Sequence, residues 1–375
     1  MKRKSIWLAG NFDNLLLATT ALLVVLGLIV LYSLGIKAKQ VSNQLDSTKQ
    51  IIYALIGVFL LVLAARNDYK ILKNYSGILY VFMIASLLAV EFFGATRLGA
   101  TRWIAMGPFQ FQPSELAKLI LIIVLAKFYA QNFDFTSQLR FLVRSLAYSL
   151  PAIFLVLVQP DLGTAIVLGS IWLVMTLATR VKKKYLLVLF LAVIVAMPLA
   201  YPMLKDYQRQ RIDTFLQPSQ DPSGTGYNVN QAIIAVGSGG LYGQGLGAGS
   251  QSQGNFLPSS HTDFVFAVLA EKLGFLGALV CMLLFVAVIA RMIIDATLSH
   301  DRFGSLLCIG IATMFVVHVF VNIGMNLGIM PVTGIPLPFI SAGGTSLMVS
   351  LFAVGLVESV YFRRRGRELK ESELV

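Results

Sequence analysis

Ten apolar stretches, most near the roughly 20 residues a helix needs to cross a bilayer, follow one another along this 375-residue chain. They lie near 14–36, 48–65, 75–93, 113–130, 142–158, 162–180, 185–204, 263–290, 305–329 and 336–361. Lipid offers no partner to backbone N–H and C=O groups, so segments of this kind must be helical. With 57% hydrophobic and 13% charged residues, the chain does not match a water-soluble globule. The expected fold class is an all-α polytopic membrane protein with ten transmembrane helices and one long outer loop between helices 7 and 8. The whole of 1–375 reads as a single integral membrane domain, with the loop at about 205–262 and a cytoplasmic tail at about 362–375. No internal repeat is evident, which tells against a transporter built from inverted halves.

Sidedness follows from the cationic residues, because Lys- and Arg-rich loops stay in the cytoplasm. If the N-terminus is inside, the inner segments carry 20 Lys and Arg and the outer segments only eight; Lys118 and Lys272 lie within spans. Both termini are therefore expected to be cytoplasmic, with 205–262 outside. The net charge of +12 is then mostly topogenic and gives no support to nucleic-acid binding. The basic run Arg363-Arg364-Arg365-Gly366-Arg367 suits anionic inner-leaflet lipid. The first apolar run lacks a small-residue cleavage site and reads as a retained helix. Cys281 and Cys308 fall inside spans, leaving neither a disulfide framework nor metal-spaced cysteines.

The long loop contains eight glycines within 237–254. A phosphate cradle would use backbone N–H groups freed of side chains. However, Gly243-Gln244-Gly245-Leu246-Gly247-Ala248 fits the dinucleotide fingerprint only with Ala in last place and lacks a strand–helix setting. A mobile loop needing many positive-φ turns is the favoured expectation.

Ionisable groups cost about 2.5–3.5 kcal/mol each within a membrane, so the acidic residues near outer helix ends call for an explanation. They are Glu91, Glu115, Asp161, Asp263 and Glu271. Glu115 and Lys118 share a helix face and can pair; they are either a neutralised structural pair or, with Asp161, a charged cluster facing a cavity. Thr262 and Asp263 stand where a helix N-cap belongs, although His261, Thr262 and Asp263 together exceed what one cap needs. Ala267, Ala270 and Gly274 continue the Asp263 face as a small-residue stripe that admits a close neighbour. His261 reads as a hydrogen-bonding residue, since no metal-spaced set accompanies it. Trp103 suits an interfacial anchor, and Arg102 either binds phosphate or snorkels to headgroups. Ser346 has no evident base partner.

Arg102-Trp103-Ile104, Gln112-Pro113-Ser114-Glu115-Leu116-Ala117-Lys118-Leu119, Gln159-Pro160-Asp161-Leu162-Gly163-Thr164 and His261-Thr262-Asp263-Phe264-Val265-Phe266-Ala267-Val268 together resemble the SEDS glycosyltransferases (shape, elongation, division and sporulation). The resemblance runs in order over nearly the whole chain. Pro331-Val332-Thr333-Gly334-Ile335-Pro336-Leu337-Pro338-Phe339 and Gly237-Ser238-Gly239-Gly240-Leu241 look more like the rod-shape branch than the division branch. Ala342 stands where that family usually has Tyr, Lys272 where it usually has an acidic residue, and Ser259-Ser260 where Glu-Arg is common.

The resemblance implies polymerisation of lipid II, the undecaprenyl-diphosphate-linked disaccharide-peptide, into β-1,4 glycan strands on the outer side of the bacterial cytoplasmic membrane. It makes Asp263 the catalytic base. It assigns substrate binding to Arg102, Trp103, Glu115, Lys118, Asp161, His261, Thr262, Ser341, Gly343 and Gly344. It also implies a class B penicillin-binding protein as partner, beside the lipid substrate and the membrane itself. No cofactor is firmly implied; a divalent cation, magnesium or manganese, is left open with no ligand set assigned. A lipid II flippase and a non-catalytic scaffold for the transpeptidase are the competing readings. The acidic residues favour chemistry, because they gather toward the outer half instead of lining a path across the bilayer.

Overall fold

Long apolar helices carry the fold, as lipid-embedded backbone requires. The computed structural model describes residues 12–35, 41–97, 100–106, 109–135, 137–189, 191, 209, 213, 224–254 and 256–372. Its helices, in chain order, are α1 (Asn14–Gly35), α2 (Val41–Arg66), α3 (Lys70–Phe93), α4 (Pro113–Gln131), α5 (Leu139–Val158) and α6 (Leu162–Leu177), then α7 (Thr225–Ser238), α8 (Ser250–Gln253), α9 (Val265–Leu298), α10 (Arg302–Asn326) and α11 (Gly344–Ser372). Among the described residues, seven helices (α1, α2, α3, α5, α9, α10 and α11) are long and apolar enough to cross a membrane. Two further helices occupy expected spans: α6, which is apolar but shorter, and α4, which carries Glu115, Lys118 and Lys127. The seventh expected span, 185–204, and the first part of the long loop lie mostly outside the described residues.

Helix α4 lies at the centre. It buries Leu119 through Ala126 without interruption, so all its sides are covered by protein, and α3, α6 and α10 pack around it. Leu55 on α2, with Ile78 and Val81 on α3, instead faces outward as lipid-contacting residues do. Helices α2 and α11 run against each other at close range, because a Cβ on Gly355 would lie 2.4 Å from the Leu61 carbonyl oxygen. At the end that the charge bias assigns to the cytoplasm, Arg291 Nε donates to Asp13 Oδ2 at 2.6 Å and the Asp13 N–H donates to Glu358 Oε2 at 3.1 Å. These bonds join α9, α1 and α11.

The opposite end, hereafter the outer end, departs from the sequence expectation in three places. The gap at 94–112 is not a plain loop but a small antiparallel sheet in the order β1 (Ala95–Arg97), β2 (Ala100–Met106) and β3 (Phe109–Phe111). Ala95 faces Trp103, and Ile104 faces Phe111. The glycine-rich part of the long loop is built around α7 and α8 and packs against α9. Helix α9 itself is broken at Gly274, whose φ of 69° and ψ of −169° are not helical.

That break explains the glycines. A helix interruption orphans backbone groups that must find partners, and here the loop supplies them. The Gln244 and Gly245 N–H groups donate to the Glu271 and Lys272 carbonyls at 2.9 and 3.0 Å, and the Phe275 N–H donates to the Gly240 carbonyl at 2.8 Å. The two backbones are so close that a Cβ on Gly243 would lie 2.2 Å from the Lys272 oxygen. Glu271 is fully buried and accepts the Gln251 and Ser252 N–H groups at the start of α8. Lys272 Nζ donates to the Leu246 and Ala248 carbonyls, each at 3.1 Å. Gly239, Gly243 and Gly249 thus serve close packing against a broken helix.

Candidate active site

The site is organised by one polar stripe on an otherwise apolar helix. His318, Asn322 and Asn326 are spaced four apart on α10, so they share a face. All three are buried, and polar groups buried among apolar helices need partners. Asn322 Nδ2 donates to the Asp263 carbonyl at 3.0 Å and to the Ile335 carbonyl at 2.8 Å. Asn326 Nδ2 donates to the same Asp263 carbonyl at 3.0 Å, while its Oδ1 accepts the Ala267 N–H at 3.0 Å. The backbone of Asp263 is therefore clamped from α10.

This clamp corrects the capping expectation for Thr262 and Asp263. Helix α9 begins at Val265 with Phe264 at the N-cap and no hydrogen bond from the side chain of that cap. The capping bond comes from Asn326 on another helix. Asp161, by contrast, is a true N-cap: its Oδ1 accepts the Thr164 N–H at 3.1 Å and its Oδ2 the Thr164 hydroxyl at 2.9 Å.

Asp263 is partly exposed, and its carboxylate lies opposite the proline-rich segment between α10 and α11. A Cβ placed on Gly334 would lie 3.8 Å from Asp263 Oδ2 and 3.8 Å from Arg102 Nη1. The carboxylate and the guanidinium thus both stand against Gly334, on the side where the glycine carries no side chain. Arg102 is fixed from β2: its Nη2 donates to the Pro160 carbonyl, and its Nη1 lies 3.8 Å from Asp161 Oδ1. Its Nε is buried without a hydrogen bond among the described residues. A buried ion pair is favourable only when further hydrogen bonds satisfy it, and Asp161 obtains these from Thr164 and from Gln112 Nε2 at 3.4 Å.

Glu115 and Lys118 do pair, with Nζ 2.6 Å from Oε1 and both residues buried. The contacts of Lys118 lead to Glu115 and to His318 Nε2 at 2.9 Å, whereas those of Asp161 lead to Arg102, Gln112 and Thr164. The expected single cluster is thus two sets joined through the N-terminal turn of α4, where Gln112 immediately precedes the helix. Glu91 is exposed at the end of α3, away from these contacts.

The remaining predicted residues form the frame. Ser341 Oγ donates to the Thr262 carbonyl at 2.6 Å and accepts the Leu337 N–H at 2.8 Å. The exposed His261 accepts the Ala342 N–H through its carbonyl at 2.8 Å. The Gly343 N–H donates to Gln50 Oε1 at 3.2 Å, and Gly344 packs against the Tyr53 ring. Trp103 sits beside Arg102 on β2, half-buried. Among the described residues, no group of three or more His, Cys, Asp and Glu is placed to hold a metal ion. Sequence reasoning missed Gln112, His318, Asn322, Asn326 and Gly334. The i, i+4, i+8 spacing of three polar residues within an apolar span was the available signal for the α10 set.

Comparison with known proteins places this geometry in context. The cell cycle protein family of FtsW, RodA and SpoVE matches residues 13–366. The chain belongs to that family. Among curated relatives, the peptidoglycan glycosyltransferase MrdB of Escherichia coli is 36% identical over 97% of both chains. Among solved structures, a chain described under "Structural coordination of polymerization and crosslinking by a peptidoglycan synthase complex" has a TM-score of 0.82 at 32% identity, covering 96% of this chain and 99% of that one. The rod shape determining protein RodA of Thermus thermophilus has a TM-score of 0.70 at 30% identity, covering 96% and 98%. The Asp263 segment, the α4 start and the Asp161 turn approach one another at the outer end through Gly334, Arg102 and Gln112.

Proposed function

We propose that the chain is a peptidoglycan glycosyltransferase that polymerises lipid II into β-1,4-linked glycan strands during rod-shaped growth. Full-length similarity to MrdB and to solved RodA supports the reaction class. The observation that carries the site assignment is the placement of Asp263. Its backbone is held by Asn322 and Asn326, its helix is capped by another residue, and its carboxylate stands with Arg102 against Gly334.

In this reading the acceptor sugar hydroxyl enters beside Gly334, and Asp263 takes its proton as the oxygen attacks the donor's anomeric carbon. The bond from that carbon to the diphosphate oxygen breaks, and undecaprenyl diphosphate leaves. Attack from the opposite face converts an α-linked donor into a β-linked product. Arg102 offers planar charge-assisted donors suited to phosphate oxygens. Lys118 is held by Glu115 with N–H capacity left over, and it adds positive charge near the departing diphosphate.

In the same reading the enzyme sits in the bacterial cytoplasmic membrane with both termini inside, and a class B penicillin-binding protein is its transpeptidase partner. The likeness to a chain of a peptidoglycan synthase complex supports that pairing. Reconstitution of the chain in lipid vesicles with purified lipid II, alone and with such a partner, tests the proposal. Polymer and translocated lipid II are scored separately. Polymer supports the reading, whereas translocation without polymer supports the flippase alternative.

A further inference from the structure

His318 has no part in the reaction as described, yet among the described residues it joins the Glu115–Lys118 pair to the segment facing Asp263. Its Nε2 lies 2.9 Å from Lys118 Nζ and its Nδ1 lies 3.2 Å from the Pro336 carbonyl oxygen. An ammonium can only donate, so Nε2 must accept; the ring proton is then on Nδ1, which donates to Pro336. His318 is buried, with a relative exposure of 3%. The segment it grips is the same one that Asn322 holds at Ile335. Two residues before Pro336 is Gly334, opposite Asp263 Oδ2 and Arg102 Nη1.

We propose that His318 is a positioning residue: in its Nδ1–H tautomer it fixes the Lys118 ammonium relative to the Pro336 segment and hence relative to Asp263. The inference rests on the glycosyltransferase reading. Among the described residues, the contacts of Lys118 occupy two of its three N–H groups, one on Glu115 and one on His318, which leaves the third for a substrate oxygen. Without the histidine, the lysine would keep its charge and its carboxylate partner but lose the contact that sets its direction. Such a change disturbs the orientation of the group that meets substrate.

Two variants separate the two ring contacts. In His318→Gln the amide oxygen can occupy the place of Nε2 and accept from Lys118. In His318→Asn the amide reaches only the place of Nδ1, toward Pro336. With full-length chain and its partner on lipid II, His318→Leu and His318→Asn should lower kcat/KM about tenfold or more. The loss should fall mainly on kcat, and His318→Gln should recover most of it. Equal rescue by Asn and Gln, no rescue by Gln, or near-normal turnover in a folded His318→Leu protein would overturn the proposal.

A second measurement needs no turnover. The chain has three histidines, and His261 and His300 are exposed, so 15N-histidine spectra can resolve the buried ring. The wild type should show one fixed Nδ1–H tautomer; in Lys118→Met the Pro336 carbonyl keeps the proton on Nδ1, but the Nε2 resonance should shift because that nitrogen loses its donor. An Nε2–H ring, or a ring indifferent to Lys118→Met, would overturn the link between them. If the wild type and its partner make no polymer, the glycosyltransferase reading fails on that result, while the spectra still decide the His318–Lys118 link.

Discussion

Asn326 Oδ1 accepts the Ala267 N–H at 3.0 Å, so the helix after Asp263 is capped from a different helix. The same amide donates to the Asp263 carbonyl, also at 3.0 Å. One side chain thereby holds the aspartate's backbone and takes over the task that would otherwise fall to its carboxylate. Asn326→Ala should leave the Ala267 N–H unpaired and cost about 1–3 kcal/mol of stability. Thermal unfolding in detergent should show a larger fall in Tm for Asn326→Ala than for Asp263→Asn; the reverse order would contradict the capping assignment.

The glycine loop makes a second prediction. Gly243 has a φ of +81° and no room for a Cβ, whereas Gly247 has nothing within 4 Å of the same position. Gly243→Ala should destabilise the chain by at least about 1–3 kcal/mol through strain and lost backbone contact. Gly247→Ala should stay within about 0.5 kcal/mol. Comparable unfolding temperatures for the two variants would mean that the loop does not grip the broken helix.

How much of this was legible beforehand depends on the signal each element carries. The spans were readable because a 20-residue apolar run has one structural solution in lipid. The break at Gly274 was not, because a single glycine in a long apolar run reads as a packing residue until a partner loop appears beside it. Arg102, Glu115, Lys118, Asp161 and Asp263 were found as ionisable groups beside apolar spans, which their positions flag, while their roles came from the family resemblance. The pairing of Asp161 with Arg102 through a turn and a small sheet depends on tertiary approach, which spacing along the chain cannot encode. His318, Asn322 and Asn326 did carry a pattern, but it is polar, not charged, and is easily lost within a hydropathy reading.

At the end that the charge bias assigns to the cytoplasm, a third prediction concerns pH. Burial works to raise the Asp301 carboxyl, but donation from the Tyr69 hydroxyl and the Gly304 N–H, together with the Lys70 charge, outweighs it and holds the carboxyl below its ordinary range. A group depressed on folding contributes stability above its unfolded pKa of about 3.9 and loses it as pH falls through the folded value. Asp301→Asn retains a capping oxygen but no charge. The stability gap between wild type and Asp301→Asn should therefore be largest near neutrality and close below about pH 4. A gap that widens in acid would contradict the assignment.

Topology provides a fourth test. Cys281 and Cys308 are buried, so single cysteines introduced elsewhere should dominate labelling by an impermeant reagent. A cysteine at Ser219, which lies outside the described residues, should react from outside, and one at Ser372 only after the membrane is opened. Labelling of Ser372→Cys in intact cells would contradict the inward tail that the charge asymmetry predicts.

The central claim is that Asp263 removes the acceptor proton, and Asp263→Asn tests it most directly. The substitution preserves size, keeps the backbone carbonyl that Asn322 and Asn326 hold, and removes the base. Polymerisation of lipid II by the purified variant with its partner should fall roughly a hundredfold or more, while lipid II binding, partner binding and Tm stay near wild type. Near-normal polymer from a folded Asp263→Asn protein would contradict the account.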